Sequence, residues 1–193
     1  MNITHHTSLL NALIKKYGYN SYLEIGVKNP ANNFDLIECE NKTGVDPVFI
    51  RKDILITTSD LFFDWNEKQF DLIFIDGDHT ADQVKKDFEN SLKCLTENGR
   101  IVIHDCLPEL EETTCVPRGN QKVWFGDVYK FCMQLRNYDN IGFITYQFDC
   151  GCCVVWKDKT AFGDPTLGRT PDTSWVAYKQ IGKVLMNVDE TPI

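Results

Sequence analysis

The sequence predicts a doubly wound α/β domain, a mostly parallel sheet with helices on both faces. Short apolar runs alternate with stretches of helical periodicity, the pattern of strands joined by crossover helices. Several runs, Phe70 to Ile75 above all, are apolar on both faces, as strands covered on both sides must be. Most runs stop on a carboxylate or a glycine, which gathers polar residues at the strands' carboxyl ends, where such sheets bind ligands.

The elements follow in order. Leu9, Leu10, Leu13, Ile14 and Tyr17 recur at helical spacing, and Gly18 stops the helix. Tyr22 to Gly26 reads as a strand and Asn33 to Glu38 as a short helix. Thr43 to Pro47 is a strand ending at Asp46, and "DILITTSD" another ending near Thr58. After Phe70 to Ile75, Thr80 and Gln83 make a T-x-x-Q capping pattern. Val84, Phe88, Leu92 and Leu95 give the buried face of the next helix, which Gly99 ends. Arg100 to Asp105 is a strand, and a helix spans about Val123 to Leu135. Gly142 to Gln147 and Cys152 to Trp156 are joined too briefly for a crossover, so they form an antiparallel pair. The domain is expected over 1–156. A C-terminal extension over 157–193 follows, with a helix near Ser174 to Met186 that packs on the domain or on a second subunit of a homodimer.

A chain of 193 residues suits one domain with a real core. Its net charge of -8 disfavours a nucleic-acid partner. No apolar run approaches the ~20 residues that cross a bilayer, and "MNITHHTSLL" lacks the features of a signal peptide. A cytoplasmic protein with no membrane partner is expected, and its eight cysteines as reduced thiols. Cys150, Cys152 and Cys153 have the wrong spacing for a zinc knuckle and read as buried thiols, with Cys150 and Cys152 on one strand face.

The strand ends suggest specific chemistry. Asp46, ending the second strand, suits both hydroxyls of a ribose, and Gly26 permits close approach of a ligand to the backbone. A G-x-G-x-x-G is absent from "EIGVKNPANN", which disfavours a dinucleotide cradle. Asp76 and Asp105 end neighbouring strands, and two carboxylates facing one cleft suit a hard cation such as Mg²⁺. His79, three residues past Asp76, is a candidate general base. His104 reads as packing or support for the site, pointing away from Asp105. His5 and His6 read merely as residues near the start of the chain.

In order and spacing, "YLEIGV", "GVDP", "FDLIFIDGDHT" and "GRIVIHDC" resemble the class I S-adenosylmethionine-dependent methyltransferases. Within them the chain is similar to the small, methyltransferase 24-like branch associated with sugar and glycan modification, which "FGDVYKFCMQLR" and "FDCGCCVVW" also resemble. The resemblance covers roughly Tyr22 to Trp156. It implies a Rossmann-like sheet of seven strands, the last antiparallel. It implies S-adenosylmethionine bound by Glu24, Gly26, Asp46, Ser59 and Asp60, a metal on Asp76 and Asp105, and catalysis by His79 with Asp76. Two positions depart from the pattern. "VKNPANN" lacks further glycines, and Cys106 stands where catechol-type enzymes carry an Asn ligand; a thiol is a poor Mg²⁺ ligand.

The leading function is therefore an O-methyltransferase acting on a hydroxyl of a sugar, a glycan or another small polar acceptor. A non-catalytic S-adenosylmethionine-binding module and a nucleotide-dependent oxidoreductase are the alternatives.

Overall fold

In the computed structural model, which describes residues 3–48, 51–161, 163 and 172–189, the chain is built on one eight-stranded sheet. Helix α1 (His6–Tyr17) ends where Gly18 takes the left-handed conformation, its N–H closing on the Ile14 carbonyl. Strands β1 (Ser21–Ile25), β2 (Asn41–Asp46) and β3 (Ile54–Ile56) follow. Helix α2 (Ser59–Trp65), β4 (Phe70–Ile75), α3 (Ala81–Cys94) and β5 (Leu95–Ile103) come next. Then come a short α4 (Val128–Cys132), β6 (Ile141–Tyr146) and β7 (Cys152–Lys157). A last helical run over 175–185, with a π-turn at Tyr178–Gly182, leads into β8 (Val188–Asp189).

The strand order is β3-β2-β1-β4-β5-β7-β6-β8. The pairs from β3 to β5 are parallel, and β7 runs antiparallel to both its neighbours. The expected antiparallel pairing of β6 and β7 is present. The expected seven strands are eight: β8 pairs in parallel with β6 at the edge, so the antiparallel strand is not the last in the chain. A strand of two residues is too short to leave a periodic signal.

Alternation along the strands divides the core. Tyr22, Leu72, Phe74 and Val102 pack toward α1 with Leu9, Leu10 and Ile14. Leu23, Ile25, Ile73, Ile75, Ile101 and Ile103 pack on the other face, with Phe62, Phe88, Phe131, Tyr178 and Met186. The 175–185 run thus belongs to the same core as the sheet.

Local differences from the sequence expectations have physical causes. The helix expected over 33–38 is two 3₁₀ turns, Pro30–Asn32 and Phe34–Leu36. Helix α2 was not expected; Thr58 caps it, and Phe62 is its one fully buried residue, too little for a periodic stripe. The helix expected over 123–135 shrinks to α4, because the chain before it is held against the turn that precedes α3: the Asp127 N–H donates to the His79 carbonyl at 3.0 Å. Helix α3 stops at Cys94, so Leu95 opens β5 and Gly99 lies within that strand. All eight cysteines are free. Cys152 and Cys153 are buried on opposite faces, whereas Cys150 sits exposed in the preceding turn at φ 64° and shares no strand face with Cys152. Among the described residues no helix is long and apolar enough to cross a membrane.

Candidate active site

The carboxyl ends of β1, β2, β4 and β5 form one rim. On its β1–β2 side, Gly26 takes φ 88°, where a Cβ would meet the Asp76 carbonyl oxygen at 2.3 Å. No other residue lets the loops after β1 and β4 come so close. The glycine-poor loop that follows bends at Lys28, φ 52°, and Asp46 holds it. The Lys28 N–H donates to Asp46 Oδ2 at 2.7 Å and the Val48 N–H to Oδ1 at 2.8 Å. Asp46 is buried, and both its oxygens accept from the backbone of these loops.

Glu24 is buried below this loop. Its Oε2 accepts from the Tyr22 hydroxyl at 2.6 Å and from Asn33 Nδ2 at 2.8 Å. Burial pushes its carboxyl up to about 8, the two hydrogen bonds opposing. Glu24 therefore shapes the loop from beneath. Ser59 and Asp60 open α2 at the same end of the sheet, tied to α3: Gln83 Nε2 donates to Ser59 Oγ at 3.2 Å and Asp60 Oδ1 at 2.9 Å. The capping box is half formed in consequence. Thr80 accepts from the Gln83 N–H, but the Gln83 side chain goes to α2, and Asp78 Oδ1 takes the Thr80 N–H.

On the β4–β5 side, two carboxylates and two imidazoles alternate in a ring. Asp76 Oδ1 lies 3.3 Å from His79 Nε2, and His79 Nδ1 lies 3.1 Å from Asp105 Oδ2. Asp105 Oδ1 lies 3.4 Å from His104 Nδ1, which closes on Asp76 Oδ1 at 3.3 Å. His104 Nε2 donates outward to the Asp149 carbonyl at 2.9 Å. The chain achieves this by leaving extended geometry: β5 ends at Ile103, and Asp105 takes φ 59°. That left-handed residue overturns the expectation that His104 points away, because strand alternation no longer applies. It also sends Cys106 into the core, with its thiol 3.4 Å from that of Cys132, so Cys106 does not face the site.

The electrostatics follow from burial and pairing. Burial raises the Asp76 carboxyl, but the hydrogen bonds and charges of His104 and His79 outweigh it and hold it well below the usual range. Burial pushes Asp105 up to about 6, with His104 opposing and Asp76 adding. Burial pulls the His79 imidazole down, yet Asp76 and Asp105 outweigh it, and its pKa lies above the ordinary value. His79 Nδ1 is nevertheless a buried nitrogen without an aligned hydrogen bond. Trp124 covers this imidazole, its ring 5.1 Å away and 9° from parallel, and the indole N–H is anchored on the Cys115 carbonyl at 2.7 Å.

The structure thus brings Asp76, His79 and Asp105 together, with one ligand atom from each within 4.8 Å of the others. Two carboxylates and an imidazole there fit a divalent cation. His104, expected as packing or support for the site, reaches the rim, and so do His6, Trp124 and Asp149, to which the sequence reading gave no role in the site. His6 Nδ1 lies 2.7 Å from Asp149 Oδ2, and its ring stacks on Phe74.

Residues 23–106 match the model of a methyltransferase domain. No curated protein matches the chain by sequence. Among solved structures, an S-adenosylhomocysteine-bound methyltransferase from Podospora anserina is similar, with TM-score 0.62 and 17% identity over 79% of this chain and 78% of that one. An O-methyltransferase from Bacillus cereus, also with S-adenosylhomocysteine, has TM-score 0.56 and 14% identity over 79% and 80%. The methyltransferase of the mycinamycin pathway, in complex with Mg, S-adenosylhomocysteine and mycinamycin VI, has TM-score 0.53 and 16% identity over 86% of this chain and 52% of that one. The stretch from β1 to β5 thus matches a methyltransferase domain, and the sheet has the Rossmann-like fold of these solved methyltransferases.

Proposed function

We propose that the protein is an S-adenosylmethionine-dependent O-methyltransferase that methylates a hydroxyl of a sugar or another small polar acceptor. The observation that carries this reading is the His79 imidazole between Asp76 and Asp105, within the stretch that matches the methyltransferase domain. S-adenosylmethionine, when bound, supplies an activated methyl group. Asp46 would hold its ribose, Glu24 and Gly26 would shape the loop beside it, and Ser59 and Asp60 would flank its base.

His79 is the general base. Its Nδ1, without an aligned hydrogen bond among the described residues, takes the hydroxyl proton, and Asp105 at 3.1 Å stabilises the imidazolium. Asp76 orients the ring from the Nε2 side. Because Nδ1 is buried, the acceptor must displace the Trp124 ring to reach it. A divalent cation, held by Asp76 and Asp105, would lower the pKa of the acceptor hydroxyl. Mg²⁺ bound in a structural neighbour supports this reading for the same fold.

The test is transfer of labelled methyl from S-adenosylmethionine to a panel of sugars and polyols, with Mg²⁺ or with excess chelator. Methyl ethers are expected, fewer with chelator. Tight S-adenosylhomocysteine binding with no hydroxyl methylated would reduce the protein to a binding module. Full activity in chelator would leave the carboxylates to orient the acceptor directly.

A further inference from the structure

Three of the four histidines surround one carboxylate oxygen that the methyl-transfer reading does not use. Asp149 Oδ2 lies 2.7 Å from His6 Nδ1, 3.9 Å from His5 Nε2 and 3.6 Å from His104 Nε2. His104 is committed elsewhere, its Nε2 donating to the Asp149 carbonyl. His5, His6 and Asp149 remain, each offering one ligand atom within 4.8 Å of the others. Their sequence positions are far apart: the histidines open α1, and Asp149 lies in the turn between β6 and β7, at φ 49°.

We propose that His5, His6 and Asp149 form a binding site for a divalent transition cation of the zinc class, which clamps the start of α1 to the β6–β7 turn.

Imidazole nitrogen with a carboxylate is the donor set that favours zinc and its neighbours over magnesium. Around tetrahedral zinc, with ligands at ~2.0–2.1 Å, donor atoms sit roughly 3.3 Å apart. The contacts of 2.7 and 3.9 Å bracket that value, so small side-chain rotations close the site. His6 Nδ1 and the carboxylate hydrogen-bond to each other, as ligands do when they share a proton in place of a metal. The surroundings of His5 are ready for ligation. Binding through Nε2 requires the proton on Nδ1, and Nδ1 lies 3.1 Å from Thr7 Oγ1, which can accept it. Thr7 Oγ1 is itself oriented by donating to Asn33 Oδ1 at 2.8 Å. That tautomer gives up the 3.3 Å hydrogen bond from the Thr7 N–H to the same Nδ1. The His5 side chain is half exposed, so the fourth position opens to water.

The test is calorimetric titration of the tag-free protein with ZnCl₂, in a His79→Ala background that removes the Asp76–His79–Asp105 group as a competing site. One zinc equivalent is expected, undisturbed by millimolar Mg²⁺. His5→Gln and His6→Ala should each weaken it at least tenfold. Zinc should raise the melting temperature of the His79→Ala protein but not that of the same protein carrying His5→Gln. His5 is exposed, so its variant folds even where the His6 variant does not. No zinc binding in the His79→Ala background, unchanged affinity in His5→Gln, or displacement by Mg²⁺ would each overturn the proposal. None of these readouts depends on methyl transfer.

Discussion

The two halves of the rim handle their carboxylates in opposite ways. On the β1–β2 side, Glu24 and Asp46 receive hydrogen bonds from neutral donors: a phenol, an amide side chain and two backbone N–H groups. On the β4–β5 side, Asp76 and Asp105 are paired with imidazoles. Neutral donors fix a loop in one shape and exchange no protons near neutral pH. Imidazoles can take up or release a proton there. In the proposed function the first side holds a ligand and the second does chemistry on it.

The largest effect should come from the imidazole side. His79→Ala should lower the methyl-transfer rate by ~10²–10⁴-fold, the range for losing a general base, with S-adenosylhomocysteine affinity nearly unchanged. In the wild type the rate should fall as pH drops through the His79 pKa, at a pH above the ordinary ~6.5, because the carboxylates favour the charged ring. Activity within a few-fold of wild type, with the same pH profile, would move His79 to the structural side of the comparison.

The neutral-donor side should show itself in stability. The Glu24 carboxyl titrates at 4.5 when unperturbed and at about 8 in the fold. Its contribution is fully present below pH 4.5 and is lost as pH rises through about 8. Glu24→Gln keeps an acceptor for Tyr22 and Asn33 and cannot ionise. It should gain on wild type as pH rises through that window, by roughly a few kcal/mol at ~1.4 kcal/mol per unit. Urea denaturation of both proteins at pH 5 and pH 8 measures this; parallel changes would mean that Glu24 ionises freely in the fold.

Asp46→Ala removes a charged acceptor and should weaken S-adenosylhomocysteine binding by about 1.5–3 kcal/mol, read by calorimetry. Unchanged affinity in a folded variant would leave Asp46 as the anchor of the Lys28 loop alone. The smallest effect belongs to Trp124→Ala. Losing a ring stack worth ~0.5–1.5 kcal/mol that the acceptor must displace should raise kcat/KM a few-fold, and Trp124→Phe should fall between that variant and wild type.

Strand ends were legible in the sequence because a strand buried on both faces must be apolar throughout, so Asp46 and Asp76 stand out where the runs stop. The same logic gave the helix cap at Thr80 and the stop at Gly18. It failed at Asp105, where one left-handed residue cancelled the alternation and brought His104 beside its neighbour. It failed for α2, with its single fully buried side chain, and for the two-residue β8.

By itself, then, the sequence determined the order of β1 to β7 with α1 and α3, the polar rim and the candidates Asp76, His79 and Asp105, since these follow from local periodicity and from where it ends. Tertiary structure alone decided that His6, from the first helix, and Asp149, from the β6–β7 turn, meet His104 across the sheet's end. Contacts between residues 143 positions apart leave no trace in local spacing. They are fixed by packing α1 on one face of β4 and by the register of β7 against β5.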